Sequence, residues 1–211
     1  MCLTTNLLEK HVMVGMVLTV FAVVAIAFLL ITIHELGHYI CALFLGVSRE
    51  QIQLHILGSM PPRVEFLGVS GFSEVDQLLP LPDRQLTVAM FIIASGGHIA
   101  ELIAAIGFTT VGMFIGYEWF ATQFVLLSSF ITASYLIVAF LSTALFDNSF
   151  GDPVELWRRS PPATIFVYVG FFTVTAGLIW MLNVPVETLI RFGIIVPLLF
   201  IPMALMAATS Q

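Results

Sequence analysis

Residues 12–47 read VMVGMVLTVFAVVAIAFLLITIHELGHYICALFLGV, an apolar run that contains the ionisable cluster His34-Glu35-Leu36-Gly37-His38. Two histidines four positions apart lie on the same face of a helix. That spacing allows both imidazoles to bind one zinc ion and leaves Glu35 beside them as a base. Ionisable groups are costly in lipid unless they are paired or functional. The motif therefore indicates metal-dependent hydrolysis within, or at the edge of, a bilayer.

The composition is that of an integral membrane protein. Hydrophobic residues make up 59% of the 211 residues and charged residues only 9%, whereas a soluble domain usually carries about 25% charged residues. This length suits a single membrane domain, residues 1–211. The net charge of -6 comes from few groups, and no basic stretch suggests a nucleic-acid partner. The two cysteines, Cys2 and Cys41, give no disulfide framework.

Five apolar stretches are candidates for helices that cross the membrane, which requires about 20 residues of helix. They are Val12–Val47, Leu86–Ile115, Trp119–Phe146, Ala163–Met181 and Val186–Ala208. We therefore predict an all-α polytopic membrane protein with about five transmembrane helices.

The segment 48–85 between the first and second stretches is long and polar. Gln51–Leu57 alternates polar and apolar residues, and Arg63–Val69 begins in the same way. Such alternation favours strands, and the glycine and prolines of 58–62 lie between the two runs. We predict a small β-hairpin insertion between the first and second transmembrane helices.

Arginine is unevenly distributed between the two sides of the membrane. With five spans, the loops 48–85 and 147–162 lie on the same side. That side carries Arg49, Arg63, Arg84, Arg158 and Arg159, and the other carries Lys10 and Arg191. The positive-inside bias predicts that the arginine-rich side is cytoplasmic and that the N-terminus is outside. His34 and His38 lie nearer the cytoplasmic end of their helix.

The run HELGHYICALFLGV, residues 34–47, resembles the zinc-binding helix of the site-2 protease family of intramembrane zinc metalloproteases. In that family a short β-segment follows, and then a second helix opens with small residues. Ala94-Ser95-Gly96-Gly97 is loosely similar to that opening. A third helix then ends in a loop whose aspartate is the third zinc ligand. The resemblance covers residues 12–159 as a three-helix catalytic core and leaves residues 160–211 as two accessory helices.

The resemblance implies one Zn²⁺ per chain, with His34 and His38 as ligands and Glu35 as the catalytic base. The third ligand is where this chain departs from the family pattern, an Asn-Pro-containing stretch ending in Asp-Gly. We predict Asp152, because Asp152-Pro153-Val154 begins a helix and continues with an apolar residue, as in the family. The same residues also make a good helix cap by themselves. Asp147 is the alternative.

Three further polar residues are candidates for supporting roles. Asn148 is the candidate for the family's substrate-side asparagine. His98 and Glu101 lie three apart on one face of the second span, where buried ionisable groups are functional by default. They form a polar, water-accessible patch beside the metal, or orient a metal ligand from behind, or satisfy each other and hold helices together. Glu101 is also an alternative third ligand, since two histidines and a glutamate make a hydrolytic zinc site.

The resemblance implies hydrolysis of peptide bonds in membrane-embedded or membrane-proximal segments of a transmembrane protein substrate. A helical substrate must unwind before its carbonyl is accessible, and the predicted hairpin offers an edge for the unwound strand. No PDZ-sized insertion separates the first two spans, so substrate selection falls to the short loop or to a gating partner. Two other functions stay open: a membrane metallopeptidase with a cytoplasm-facing site that acts on peptides, and a non-catalytic membrane binding protein that retains the fold.

Overall fold

The computed structural model of the chain describes residues 2–56, 62–69, 72–79, 81–146 and 151–209. Within these ranges the predicted fold class is confirmed, since the chain is helical apart from one small hairpin. The elements are α1 (Cys2–Phe44), β1 (Ile52–His55), β2 (Arg63–Phe66), a 3-10 helix (Phe72–Leu78), α2 (Asp83–Ile115), α3 (Glu118–Phe146), α4 (Asp152–Arg159), α5 (Pro161–Met181) and α6 (Val186–Thr209).

Four helical segments in the described part of the chain are long and apolar enough to cross a membrane. They are Val17–Phe44, Gln85–Ile115, Glu118–Ala144 and Pro161–Met181. These lengths match the requirement of about 20 residues for the hydrocarbon core, so the chain is an integral membrane protein. The fifth predicted stretch forms α6, which contains Pro197 and Pro202, and its role as a span stays a prediction.

The two strands form an antiparallel hairpin between α1 and α2, as predicted, although each strand is shorter than its alternating run. Ile52 pairs with Phe66 and Leu54 with Val64. The Leu67 N–H donates to the Gln51 carbonyl oxygen at 2.8 Å. Because bonded and non-bonded pairs alternate in an antiparallel ladder, Val64 and Phe66 direct their backbone N–H and C=O groups away from β1. These backbone groups therefore lie on the outer edge of β2, the edge that does not pair with β1.

Helices α1 and α2 cross with their backbones in close approach. A Cβ atom added to Gly96 would lie 2.8 Å from both the Gly37 carbonyl oxygen and the Cys41 sulfur. A Cβ atom added to Gly97 would lie 2.6 Å from the His34 ring. Small residues at a helix crossing allow this approach, and here they also make room for an imidazole. The glycines thus allow α2 to pack against the face of α1 that carries His34.

The short helix α4 docks on the bundle through Pro153, Val154 and Leu156, which are buried. Leu156 packs in one cluster with Ala94 of α2 and Tyr168 of α5. This packing anchors the helix whose first residue is Asp152. The adjacent residues Asp147 and Asn148 lie outside the described residues.

Candidate active site

Helices α1 and α4 bring three predicted ligands together. The Nε2 atoms of His34 and His38 are 3.0 Å apart. Oδ2 of Asp152 lies 3.0 Å from Nε2 of His34 and 3.1 Å from Nε2 of His38. The three atoms therefore form a nearly equilateral triangle, although Asp152 is more than a hundred residues from the histidines in sequence.

The hydrogen bonds behind the two imidazoles determine which nitrogens face this triangle. His34 donates from Nδ1 to Oε1 of Glu101 at 2.5 Å, and His38 donates from Nδ1 to the Ile93 carbonyl oxygen at 2.7 Å. In a neutral imidazole the other nitrogen then carries a lone pair. Two imidazole nitrogens and a carboxylate oxygen thus converge at 3.0–3.1 Å. Protonated rings donate to Asp152 there, whereas neutral rings present lone pairs that can bind a metal ion.

A zinc ion fits this donor set. Tetrahedral zinc with ligands at 2.0–2.1 Å separates its ligand atoms by about 3.3 Å. The observed edges of 3.0–3.1 Å are close to that separation. Two imidazoles and one carboxylate also leave the fourth coordination position for water, as in hydrolytic zinc sites.

Asp152 is held at the triangle by backbone geometry and by charge. The residue at the N-cap of α4 is Gly151, not Asp152, and it has φ of 81° and ψ of 173°, a conformation that only glycine adopts readily. A side chain there would also overlap the Tyr135 hydroxyl. Burial acts to raise the pKa of Asp152, but His38 and the hydrogen bonds with His34 and His38 outweigh it and hold that pKa well below its usual range. Asp152 is therefore an ionised carboxylate.

Glu101 contacts the far side of His34 rather than the triangle. Its Oε1 accepts from His34, and its Oε2 accepts from the Ser128 hydroxyl at 3.0 Å. A carboxylate behind a metal-binding histidine fixes the ring orientation and increases the basicity of the ligand nitrogen. The geometry therefore places Glu101 where it can support His34, one of the roles considered from the sequence.

His98 has a different partner from Glu101. The Tyr168 hydroxyl of α5 lies 2.9 Å from Nε2 of His98, and the His98 and His34 rings meet edge to face at 4.9 Å between centroids. Nδ1 of His98 is buried and has no hydrogen-bond partner among the described residues. Among the described residues, His98 thus bonds to Tyr168 and Glu101 to His34 and Ser128, rather than to each other.

Glu35 lines the same cavity as His34 and His38 and reaches the hairpin. Its Oε2 accepts a hydrogen bond from the Val64 N–H at 2.8 Å. This is one of the N–H groups that β2 directs away from β1. The carboxylate also interacts electrostatically with His34, His38 and Asp152. One oxygen of Glu35 is thus anchored by a backbone N–H.

One cavity of about 900 Å³ is lined by the ionisable side chains of the site, His34, Glu35, His38, His98, Glu101 and Asp152. Apolar residues from four elements form much of its remaining wall, including Leu30 of α1, Phe66 of β2, Ile131 of α3 and Phe200 of α6. The volume falls within the range of small-molecule and peptide sites. A polar centre inside an apolar wall can take an extended apolar segment and polarise one of its carbonyls.

Sequence reasoning did not identify Val64, Tyr168 or the Ile93 carbonyl as parts of this site. Val64 and Ile93 act through backbone atoms, which a side-chain pattern does not reveal. Tyr168 had one available signal, since it is a polar residue in the middle of an apolar span. Asp147 and Asn148 cannot be placed relative to the site, because residues 147–150 lie outside the described ranges.

Comparison with known proteins identifies one match. The family model described as Peptidase family M50, the site-2 protease family, matches residues 21–188. This range begins in α1 and ends in the first turn of α6, so it includes every element that contributes to the triangle. No curated protein and no solved structure matches the chain.

Proposed function

This chain belongs to peptidase family M50, and from that premise we propose that it is a zinc metalloprotease acting on membrane-embedded or membrane-proximal segments of other proteins. The family and the apolar helices make it a membrane metallopeptidase in general terms. The site residues, the zinc ion and the intramembrane substrate are the proposal.

The single observation that carries the proposal is the triangle formed by His34, His38 and Asp152 beside Glu35. Its edges of 3.0–3.1 Å suit one zinc ion with an open fourth position. Family members are generally zinc-dependent. When bound, zinc activates a water molecule and polarises the scissile carbonyl.

Glu35 is the proposed general base and acid. The Val64 N–H holds its Oε2, so the carboxylate is oriented before substrate arrives. The other oxygen takes a proton from the attacking water and delivers it to the nitrogen of the leaving amine. Glu101 keeps the His34 ring in place through the 2.5 Å hydrogen bond during both proton transfers.

The proposed substrate is a transmembrane segment that has unwound locally, because a helix shields its carbonyls by internal hydrogen bonds. The outer edge of β2 lies beside Glu35, where the Val64 N–H donates to the Glu35 carboxylate and the Val64 carbonyl oxygen also points away from β1. An extended segment can add to such an edge as a further strand. The apolar wall of the cavity, which includes Leu30 and Ile131, suits the side chains of a membrane-derived segment.

The proposed orientation places the active site toward the cytoplasm and the N-terminus outside. It rests on the arginines of loops 48–85 and 147–162, counted with five spans. A partner that controls access to the cavity is compatible with the short hairpin insertion.

Two alternatives make different demands on the same residues. A metallopeptidase with Glu101 as its third ligand predicts that Asp152 is dispensable, whereas Asp152 lies about 3 Å from both His34 and His38. A non-catalytic binding protein does not need Glu35, yet Glu35 is present and anchored by Val64. The geometry therefore favours the metalloprotease.

The experiment that tests the proposal uses the full chain in liposomes with a panel of labelled transmembrane peptides that contain helix-breaking residues. We expect cleavage by the zinc-loaded wild type and none by Glu35→Gln, whose zinc content is unchanged. Leu36→Ala is a matched control, because Leu36 is an exposed neighbour on the same helix. Equal cleavage by Glu35→Gln, or cleavage only of soluble peptides, would overturn the proposal.

A further inference from the structure

His34 lies between two carboxylates, one at each ring nitrogen. Nε2 is 3.0 Å from Oδ2 of Asp152, and Nδ1 is 2.5 Å from Oε1 of Glu101. A neutral imidazole has one N–H and one lone pair. In a neutral ring, whichever carboxylate receives the N–H, the other faces a lone pair to which a metal ion can bind, whereas a protonated ring donates to both carboxylates. The His34 ring can therefore bind a metal ion through either Nε2 or Nδ1.

The Glu101 side has a donor set of its own. One ligand atom from each of His34, His98 and Glu101 lies within 4.8 Å of the others. Nδ1 of His98, which is only 2% exposed, has no hydrogen-bond partner within the described part of the chain. A buried polar atom without a partner is costly and calls for an explanation.

Each of these three residues is also supported from behind, as metal ligands usually are. Tyr168 lies 2.9 Å from Nε2 of His98, Ser128 donates to Oε2 of Glu101 at 3.0 Å, and Asp152 is at Nε2 of His34. This repeats the pattern of the first set, in which Glu101 supports His34. The two carboxylates exchange roles between the two sets.

We propose that the divalent ion has a second, alternative position formed by His34, His98 and Glu101. The two positions exclude each other because both need the single lone pair of His34. Two imidazoles and a carboxylate suit zinc, and also cobalt. The two positions, at opposite nitrogens of one imidazole, are about 6 Å apart at ordinary bond lengths.

The second position holds the ion away from the catalytic base. Glu35 is the proposed base of the first position, and an ion at the opposite nitrogen of His34 lies about 6 Å from that position. The second position is thus an inactive state of the same centre. This inference rests on the proposed function for the identity of the first position, but it makes a separate prediction about metal binding.

The test measures Co²⁺ content and the visible absorption of Co²⁺ in the full chain in detergent. Asp152→Asn removes the carboxylate of the first position but keeps an acceptor for the His34 N–H. We expect this variant to bind one Co²⁺ per chain about tenfold or more weakly than the wild type, with an altered spectrum. The double variant Asp152→Asn/His98→Ala should lose this binding. Asp152→Asn/His55→Ala is the matched control and should keep it, since His55 lies on the hairpin.

The outcomes separate this inference from the proposed function. One Co²⁺ in the wild type with none in Asp152→Asn would overturn the second position and leave the proposed function intact. Equal binding by Asp152→Asn and by the variant that also lacks His98 would overturn it as well. A wild type that binds no Co²⁺ or Zn²⁺ would overturn both. Size-exclusion profiles that match the wild type show that each variant is folded.

Discussion

Replacing Glu101 by glutamine tests how the site holds its metal. The substitution keeps the shape and an acceptor oxygen but removes the charge that faces Nδ1 of His34 at 2.5 Å. Glu101 is 5% exposed, so water screens this charge little. Loss of a carboxylate behind a ligand histidine typically lowers metal affinity 10–100-fold. We therefore expect Glu101→Gln to bind zinc about 10–100-fold more weakly, which is about 1.4–2.8 kcal/mol of binding free energy.

The assay is competition for zinc against a chromophoric chelator in detergent, with zinc content measured at each point. Glu118→Gln is the matched control, because it removes the same charge from the exposed start of α3, and its zinc affinity should equal that of the wild type. An affinity within twofold of the wild type would refute the reasoning that Glu101 supports His34. Complete loss of zinc would also refute it, since that result would make Glu101 a ligand.

Three further predictions follow from the same contacts. Val64→Pro removes the N–H that binds Glu35 but breaks no hydrogen bond to β1, so the rate of peptide cleavage should fall about tenfold or more. The control Val64→Ala keeps the N–H and should cleave at the wild-type rate; equal rates for the two variants would contradict the role of the N–H. Gly151→Ala forces a side chain into a backbone conformation that favours glycine, and against Tyr135, so the free energy of unfolding should fall by about 1–3 kcal/mol in a thermal melt. An unchanged melting temperature would contradict this account of Gly151. Chelation of zinc should lower the melting temperature of the wild type, and zinc at 100 times its Kd should restore about 2.7 kcal/mol of unfolding free energy. The melting temperature of His34→Ala should not respond to zinc; a response in that variant would place the metal elsewhere.

The helices could be predicted from the sequence because the bilayer imposes a simple rule. A segment must be apolar for about 20 residues to cross the bilayer. The predicted stretch Leu86–Ile115 accordingly coincides, within three residues at its start, with the helix Asp83–Ile115. The hairpin followed from alternation in 51–57 and 63–69. The motif at His34 and His38 was visible because helical periodicity places residues four apart on one face.

The rest of the site depends on contacts between distant segments, which no local pattern specifies. Asp152 could be predicted only through the family resemblance, and a capping role explained the same residues equally well. The structure places Gly151 at the cap and turns Asp152 toward His34 and His38. The anchoring of Glu35 by Val64 depends on which way a strand edge faces. Such an orientation is fixed by packing of the hairpin against α1 rather than by the residues of either element.

The measurement that tests the central claim most directly is the zinc content of the purified wild type, Glu35→Gln and His34→Ala, each after incubation with zinc and removal of loosely bound ions. His34 belongs to both proposed metal positions, whereas Glu35 is proposed as the base and not as a ligand. The account predicts one zinc per chain in the wild type and in Glu35→Gln, and none in His34→Ala. A wild type without zinc, or a His34→Ala variant that keeps its zinc, would contradict it.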